Sequence, residues 1–400
     1  MARIVVCGYM IRHPVGGNLL AFFHYVLGLS ELGHEVLYLE ESGWSQSCYD
    51  PVGREYSDDP HRGLRAVQAL MADFSLQIPV CYINRDSGQV WGGDWKDVKR
   101  ILKGADLLIN IGGVCWLPEF RLCRRRALVD LDPFFMQVGR FATEGLEEYH
   151  VHFSYGVNIG RSGCTIPTGG IDWHPTVPPV VPAIWQHRVA AGELPSTGKG
   201  TDSPLTTIAN WSAYGGVTYA GEYYGQKNEE FLRLLDLPRY TSQRLELALS
   251  GASWEIQAQL LTAGWSVRDG GEVSVDVPTY QAYLTGSRGE VSVAKQAYVK
   301  TRSGWFSDRT VCYLAAGLPV IVQDTGFTQW LPTQQGLLTF SSLEEAVNCI
   351  EIVNANYAMH CRAARELAEQ IFSYNVILPR LLEIAQGAIT THLTKSNGGL

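Results

Sequence analysis

The stretch SGWFSDRTVCYLAAGLPVIVQDTG, residues 303–326, decides the fold class of this chain. Its pattern predicts a polar loop, a short helix from about residue 308 to 316 that a glycine ends, and an apolar strand over residues 318–322. The strand runs into the polar turn Asp324-Thr325-Gly326. A helix followed by a buried strand with a polar turn at its carboxyl end is the repeating unit of a parallel α/β sheet, and such sheets bind ligands beyond those ends.

Short apolar strands alternate with amphipathic helices over the rest of the chain as well. Strands are predicted at residues 3–8, 36–39, 78–83, 106–111, 127–130, 151–154, 205–209, 245–249, 265–267, 290–294 and 337–340. A proline-rich segment between residues 175 and 204 divides them into two groups, because proline cannot continue a helix or a central strand. We therefore predict two facing, doubly wound, Rossmann-like α/β domains with a cleft between them: an N-terminal domain over 1–190, a linker over 191–204 and a C-terminal domain over 205–380.

The charge and the cysteine content exclude several classes of protein. The chain has 32 lysines and arginines against 40 aspartates and glutamates, a net charge of −8, which argues against binding to a nucleic-acid backbone. Its nine cysteines form no C-x-x-C pair, as in proteins of a reducing compartment. The first apolar run, Ile4–Cys7, is too short for a signal peptide, and no run reaches the ~18 residues of a membrane span. We expect a cytoplasmic protein with no membrane span and no nucleic-acid partner.

The start of the helix near residue 308 is the first candidate site. Ser307 and Asp308 are both placed to cap it, and the free N–H groups of a helix start attract phosphate oxygens. Arg309 and Thr310 follow in the first turn, where a guanidinium adds a charge-assisted contact to a phosphate. Asp308 can instead accept hydrogen bonds from ribose hydroxyls. Together with the turn Asp324-Thr325-Gly326, these residues are predicted to bind a phosphorylated ligand.

Two further segments end at the same edge of the second predicted sheet. Lys295 follows the strand that ends at residue 294, and Asn210-Trp211 follows the first strand of that sheet. A lysine there can neutralise a diphosphate, or it can be a solvated loop residue. Asn210 and Trp211 can contact the phosphates or the sugar of a ligand, or Trp211 can pack beneath a loop. Lys227, just before a helix, is a weaker candidate of the same kind.

In the first predicted domain, His13 lies in the loop after the first strand, and Asn18 is predicted to cap the helix that follows. Histidine suits general base catalysis at neutral pH, so His13 is a candidate base. Asp130 and Asp132 end another strand and put two carboxylates on one face, which makes Asp130 the second candidate; capping of the next turn is the alternative. His150 and His152 share a strand face without a suitably spaced third ligand, so no metal site is predicted.

The pattern A-x-G-x-P-V-I at the end of the 308–316 helix, followed by a polar turn, resembles the donor half of GT-B glycosyltransferases. The loop HPVGGN, the segment GHEVLYLE and the tail ARELAEQIFSYNVILPRLL are similar to the acceptor-side loop, the second strand and the closing helices of that superfamily. The resemblance implies that Gly16 and Gly17 belong to the acceptor-side loop and that a helical tail over 381–400 returns to the first domain. Retaining members carry two glutamates where this chain has Gly304 and Cys312.

The resemblance implies a glycosyltransferase that moves a sugar from a nucleoside diphosphate sugar to a hydroxyl or amine of a small molecule or glycan. The C-terminal domain would bind this donor without a metal or a further cofactor, and the missing glutamates favour inversion. His13 or Asp130 would take the acceptor proton. A sugar-nucleotide epimerase and a two-lobed ligand-binding protein are the alternatives. A nicotinamide dehydrogenase is disfavoured, because CGYMIRHPVGG lacks the G-x-G-x-x-G spacing.

Overall fold

The computed structural model describes residues 1–139, 145–186 and 200–387, and it contains two large β-sheets. The first sheet has eight strands from residues 3–175, and the second has six strands from residues 205–340. We call the residues up to 186 the first half and residues 200–372 the second half. The predicted fold class is confirmed, because two doubly wound α/β units face each other. Residues 191–199 of the predicted linker and 388–400 of the predicted tail lie outside the described residues.

The first half alternates strands and helices. Its elements are β1 (Arg3–Cys7), α1 (Gly16–Glu31), β2 (Glu35–Ser42), β3 (Cys48–Asp50), β4 (Glu55–Ser57), α2 (His61–Asp73), β5 (Val80–Asn84), β6 (Gln89–Trp91), α3 (Trp95–Gly104), β7 (Leu107–Ile111), β8 (Arg126–Asp130), α4 (Phe135–Val138), β9 (Val151–Ser154), β10 (Trp173–Pro175) and α5 (Ala183–Gln186). The sheet order is β10-β9-β8-β7-β1-β2-β5-β6, parallel except for β6, and β3 pairs only with β4. Its central strands are buried on both faces, because helices cover both sides.

The second half repeats this arrangement with a smaller sheet. Its elements are β11 (Leu205–Asn210), β12 (Val217–Tyr219), β13 (Glu222–Tyr224), α6 (Lys227–Arg233), β14 (Leu245–Ser250), α7 (Trp254–Ala263), β15 (Ser266–Asp269), α8 (Gly270–Val273), α9 (Val277–Gly286), β16 (Gly289–Ser292), α10 (Gln296–Lys300), α11 (Asp308–Ala315), β17 (Val320–Gln323), β18 (Leu337–Phe340), α12 (Leu343–Ala355) and α13 (Tyr357–Leu367). The sheet order is β15-β14-β11-β16-β17-β18, all parallel, and β12 and β13 form a separate hairpin. Across the described ranges, no helix is both long enough and apolar enough to pass through a lipid bilayer.

One apolar cluster is shared by the two halves. Helix α1 contributes Phe23 and Val26, α9 contributes Tyr280 and α11 contributes Val311. Phe372, at the end of the π-helical turn Ala368–Phe372, belongs to the same cluster and is fully buried. The halves are therefore held together by apolar packing as well as by the covalent chain.

The last helix, α14 (Tyr374–Gln386), packs on α1 of the first half. The approach is close at Gly28, where a Cβ atom would lie 2.8 Å from side-chain atoms of Leu378 and Tyr374. Near the end of α14, the carbonyl oxygen of Ala385 accepts a hydrogen bond of 2.8 Å from Arg125 Nε. The C-terminal helix of the described chain is thus part of the first half's surface.

The chain returns from the second half to the first at Phe372–Tyr374, and this passage touches the segment that follows β10. Val180 N–H donates to Phe372 O and Tyr374 N–H donates to Val180 O, both at 2.8 Å. A short parallel bridge between Val180 and Ser373 results.

The start of α1 differs from the prediction. Asn18 is not its cap, because the helix already begins at Gly16. The Asn18 amide instead donates to the carbonyl oxygens of Tyr9 at 2.6 Å and His13 at 2.8 Å, which fixes the loop after β1. Gly16 N–H donates to Ser274 O of the second half at 2.7 Å. This helix start therefore lies at the interface between the halves.

Candidate functional site

The carboxyl ends of the two sheets face each other, and residues that follow these strand ends make contacts between the halves. Trp305 Nε1 of the second half donates to Leu131 O of the first half at 3.2 Å. Beside Trp305, a small open pocket of about 20 Å³ lies between the ends of β16 and β17 and the start of α11. The predicted site residues that line it are Ser307, Arg309, Thr310 and Thr325.

Arg309 is held in place by the protein itself. Its Nε donates to Glu290 Oε1 at 2.7 Å, and its two terminal nitrogens donate to Ile208 O at 2.7 Å and Ser292 Oγ at 2.6 Å. Glu290 is fully buried, so this ion pair is shielded from water. Arg309 thus joins the start of α11 to β11 and β16, and its charge is already balanced.

Lys227 is different, because its charge is not balanced. The first residue of α6, it makes no hydrogen bond and no ion pair with any residue in the described parts of the chain. Burial, together with the nearby charges of Arg309 and Lys295, lowers the pKa of Lys227 to about 7. Glu290 and Asp308 act in the opposite direction and only partly offset this effect. A partly buried ammonium beside two other cations is a site at which a bound anion would balance the positive charge.

Lys295, the third cation, has its partner in the other half. Its Nζ donates to both carboxylate oxygens of Asp132, at 2.9 and 2.8 Å, and to the hydroxyl oxygen of Tyr214 at 2.8 Å. The hydroxyls of Tyr214 and Tyr298 also donate to Asp132. Three side chains of the second half therefore converge on one carboxylate of the first half.

The turn Asp324-Thr325-Gly326 is fixed by contacts of its own. Gly326 has φ +95°, and its carbonyl oxygen accepts a 3.0 Å hydrogen bond from Asn158 Nδ2 of the first half. A Cβ at Gly326 would lie 2.9 Å from that nitrogen, which explains the glycine. Asp324 accepts from Gly326 N–H at 2.8 Å, and Thr325 Oγ1 donates to Trp305 O at 2.6 Å. This turn forms one wall of the pocket and part of the interface.

Three further residues of the predicted donor site, Ser307, Asn210 and Trp211, lie in different surroundings. Ser307 precedes α11, but its hydroxyl caps no backbone N–H, so the helix start keeps free donors beside the pocket. Asn210 ends β11 and accepts from Ala213 N–H at 2.8 Å. Trp211 lies in the core of the second half rather than in the cleft, because its ring stacks on Phe231 of α6, with centroids 5.9 Å apart.

His13 lies in an aromatic stack. Its ring is stacked between those of Tyr9, at 5.7 Å, and Tyr49, at 4.9 Å. Its Nδ1 is buried and has no partner among the described residues. Burial lowers the pKa of His13 to about 4, so the imidazole is neutral at physiological pH and is a weaker base than a solvated histidine.

Asp130 is fully buried at the end of β8. Its carboxylate accepts from Gln137 Nε2 at 2.9 Å, Ser154 Oγ at 2.7 Å and Asp132 N–H at 2.8 Å. Burial raises its pKa to about 6. The structure thus places Asp130 inside the first half, where it holds the loop of Asp132, and leaves Asp132 as the carboxylate that reaches the cleft.

Gly16 and Gly17, predicted in the acceptor-side loop, touch the second half. A Cβ at Gly16 would lie 2.2 Å from the carbonyl oxygen of Asp276, and one at Gly17 would lie 2.9 Å from the ring of Tyr280. Both glycines therefore permit close packing of α1 against α9.

His150, directly before β9, and His152, within β9, make hydrogen bonds inside the first half. His150 Nδ1 accepts from Arg126 N–H at 3.1 Å, and His152 Nε2 lies 2.7 Å from Leu146 O. Within residues 1–139, 145–186 and 200–387, no group of three or more histidine, cysteine or acidic side chains is arranged to hold a metal ion.

Three features of the site escaped the sequence patterns or were undervalued. Lys227 carried only the weak signal of a lysine at a helix start. Tyr214 and Asp132, which bind Lys295, lie 81 and 163 residues away from it along the chain, and no periodicity relates them to it. Asn158 lies in the loop that follows β9, and a polar residue in a loop after a strand end is a usable signal for a position at the cleft.

No family model matches the chain, and no curated protein matches it by sequence. Solved structures do match. The alpha-glucosyltransferase AGT in complex with UDP superposes with a TM-score of 0.58 at 11% identity, over 96% of this chain and 100% of AGT. AviGT4, a glycosyltransferase involved in avilamycin A biosynthesis, gives 0.56 at 14% identity, over 97% of this chain and 98% of its own.

Anabaena HepE in complex with UDP and glucose gives a TM-score of 0.55 at 10% identity, over 96% of this chain and 99% of HepE. All three likenesses span both halves. At such identities they concern the architecture, and they confirm the resemblance of this chain to the GT-B fold.

Proposed function

We propose that this protein is a glycosyltransferase that takes a sugar from a nucleoside diphosphate sugar. The observation that carries the proposal is Lys227, a partly buried and unpaired ammonium beside Arg309 and Lys295 at the strand ends of the second sheet. A diphosphate supplies the negative charge that Lys227 lacks, and the uncapped start of α11 offers N–H donors next to it. AGT and HepE, which share the fold, were solved with UDP and support this ligand class.

In the proposed reaction, an acceptor hydroxyl or amine attacks the anomeric carbon while the bond from that carbon to the diphosphate oxygen breaks. Negative charge grows on the departing diphosphate, where Lys227 and Lys295 stabilise it without a metal. The acceptor proton passes to a base, and His13, whose Nδ1 has no partner among the described residues, is the proposed one. Gly304 and Cys312 cannot replace the paired glutamates of retaining enzymes, which favours inversion.

A thermal-shift panel with UDP, GDP, TDP, CDP and ADP tests the donor site, with NAD and NADP as contrasts. We expect one diphosphate to raise the melting temperature, since a ligand at 100 times its Kd stabilises by about 2.7 kcal/mol. The Lys227→Met variant should lose this shift, whereas Lys300→Met should keep it, because the ammonium of Lys300 is already paired with Tyr223 O and Glu222. No shift with any diphosphate would refute the proposal.

Product analysis with the matching nucleotide sugar then tests the reaction. Transfer to an acceptor with inverted anomeric configuration, seen by NMR and unchanged by a chelator, is the expected result. A nucleotide sugar that is epimerised, or that loses its nucleotide without any acceptor product, would instead identify the epimerase of the same architecture. A Lys227-dependent shift with no turnover of any nucleotide sugar would indicate a two-lobed ligand-binding protein.

A further inference from the structure

The carboxylate of Asp132 is an unusual contact between the halves, because the three side chains that donate to it among the described residues all belong to the other half. Lys295 bonds both of its oxygens, and the hydroxyls of Tyr214 and Tyr298 converge on it as well. Asp132 comes from the loop after β8, and its backbone N–H is fixed by Asp130. The contact therefore joins a rigid point of the first sheet to the strand-end edge of the second.

This contact is made at the cation cluster of the proposed donor site. Lys295 follows Ala294, which lines the pocket beside α11, and Lys227 is close enough to feel the charge of Lys295. A carboxylate on Lys295 lowers the positive charge that a diphosphate would meet. Asp132 thus pairs with Lys295, one of the two lysines that stabilise the departing diphosphate in the proposed function.

The surroundings of Lys295 allow its anion to be exchanged. Its ammonium lies over the rings of Phe135, Tyr214 and Tyr298, at 4.8, 4.6 and 5.4 Å from their centroids. Such cation–π contacts hold the ammonium in place whichever anion it faces. The Lys295 side chain is 14% exposed and that of Asp132 is 33% exposed, so the carboxylate has the more open side and a path into water.

We propose that Asp132 is an internal stand-in for the donor diphosphate, which pairs with Lys295 while the site is empty and is displaced from it when a nucleoside diphosphate binds. The proposal rests on the proposed function, since it concerns the same site. Breaking the Asp132–Lys295 pair opposes nucleotide binding, and donor binding frees a carboxylate of the first half inside the cleft. Asp132 is in this sense a positioning residue, which acts through Lys295.

Isothermal titration with UDP and with inorganic pyrophosphate tests this exchange on the full chain. The Asp132→Asn variant keeps the size of the side chain and removes its charge, so it should bind the nucleotide or pyrophosphate about tenfold more tightly, the worth of one ionic hydrogen bond. Glu35→Gln is the matched control. It removes one negative charge of the same half at the opposite end of the strands, where Glu35 pairs with Arg3, and should leave binding unchanged.

A second background separates competition from a structural role. In Lys295→Met, the Asp132→Asn change should give no gain, because the cation for which the anions compete is gone. Equal or weaker binding by Asp132→Asn, or an equal gain in the Lys295→Met background, would overturn the proposal. If wild type and Asp132→Asn both fail to bind every nucleoside diphosphate and pyrophosphate, the proposed function fails too, so the two failures are distinguishable.

Discussion

The strand ends of the two sheets both carry buried charges, but only the first sheet balances all of those that we have described. In the first half, Glu40 accepts hydrogen bonds from Tyr38, from the backbone of Ile11 and from both the backbone and the side chain of Arg12. Asp130 likewise has three donors. In the second half, Lys227 has no partner among the described residues, and Glu290 Oε2 is buried without one.

This difference separates two uses of buried charge. A balanced network fixes the conformation of a loop, and its cost is already offset within the folded chain. A buried cation without a partner lowers the stability of the protein without its ligand, and such a cation is typical of a site where a bound anion balances the charge. From this difference we infer that the buried charges at the strand ends of the first sheet stabilise the fold and that those of the second sheet bind a ligand. Four predictions test this inference, from the largest expected effect to the smallest.

Arg12→Met should give the largest loss of stability. Arg12 and Glu40 are 1% and 0% exposed, so the variant leaves a buried carboxylate without its cation and should lower the free energy of unfolding by about 3–5 kcal/mol. Arg3→Met, which breaks the exposed Arg3–Glu35 pair, should cost at most about 1 kcal/mol. Urea denaturation measures both, and a stable Arg12→Met protein with impaired nucleotide binding would reverse the comparison.

Lys227→Met should behave in the opposite way. The variant removes a charge that burial disfavours, so the free energy of unfolding should stay the same or rise. Affinity for the nucleoside diphosphate should fall by about 10- to 100-fold, the worth of a charge-assisted hydrogen bond. Denaturation and titration calorimetry on the same samples check the two effects, with Lys300→Met as the control, and a clear loss of stability would place Lys227 with the structural charges.

Gly16→Ala tests the interface between the two edges. The added Cβ would lie 2.2 Å from Asp276 O and 2.6 Å from Tyr280 Cβ, so α1 and α9 must move apart at a cost of about 1–3 kcal/mol. Gly286→Ala, at the end of α9, meets no atom within 4 Å and should be neutral or slightly stabilising. A Gly16→Ala protein that melts at the wild-type temperature would show that this contact is not close in solution.

The smallest effect is proton uptake on nucleotide binding. With a pKa of about 7, Lys227 is mostly neutral at pH 8, whereas a diphosphate favours its ammonium form, so binding at pH 8 must add up to one proton. Affinity should fall by up to about tenfold per pH unit above 7. Calorimetry in HEPES and in Tris, which differ in ionisation enthalpy, measures the uptake. Lys227→Met should show none, and its absence in the wild type would contradict the assigned charge state.

The sequence predicted the elements that have a strong period or a long apolar run. The predicted strands agree with the structure to within two residues at either end, except that the strand predicted at 36–39 continues to Ser42. The strands of the hairpins β3–β4 and β12–β13 and the edge strand β6 were not predicted. Each of these strands has three residues, which is too few to show an alternating pattern. Whether such a short strand pairs depends on residues elsewhere in the chain.

The site was predicted only in outline, because charges balance in space rather than along the chain. Arg309 was correctly placed at the start of a helix beside the pocket. Its partner Glu290 lies in strand β16, and the spacing of the two residues in the sequence does not reveal that they pair. Lys227 was undervalued for the same reason, since the charges that act on it come from residues 290–309. The positions that follow strand ends can be predicted from the sequence. Which of the charged side chains there have no partner can be seen only in the folded structure.

The hydrogen bonds between Val180 and the segment Phe372–Tyr374 have a mechanical consequence. They attach the segment after β10 of the first half to the point at which the chain leaves the second half. Sliding of the halves past each other along this contact must break both bonds, whereas rotation about the contact leaves them intact. We therefore expect the cleft to open by rotation about this contact, which returns the facing strand ends to the same alignment on closing.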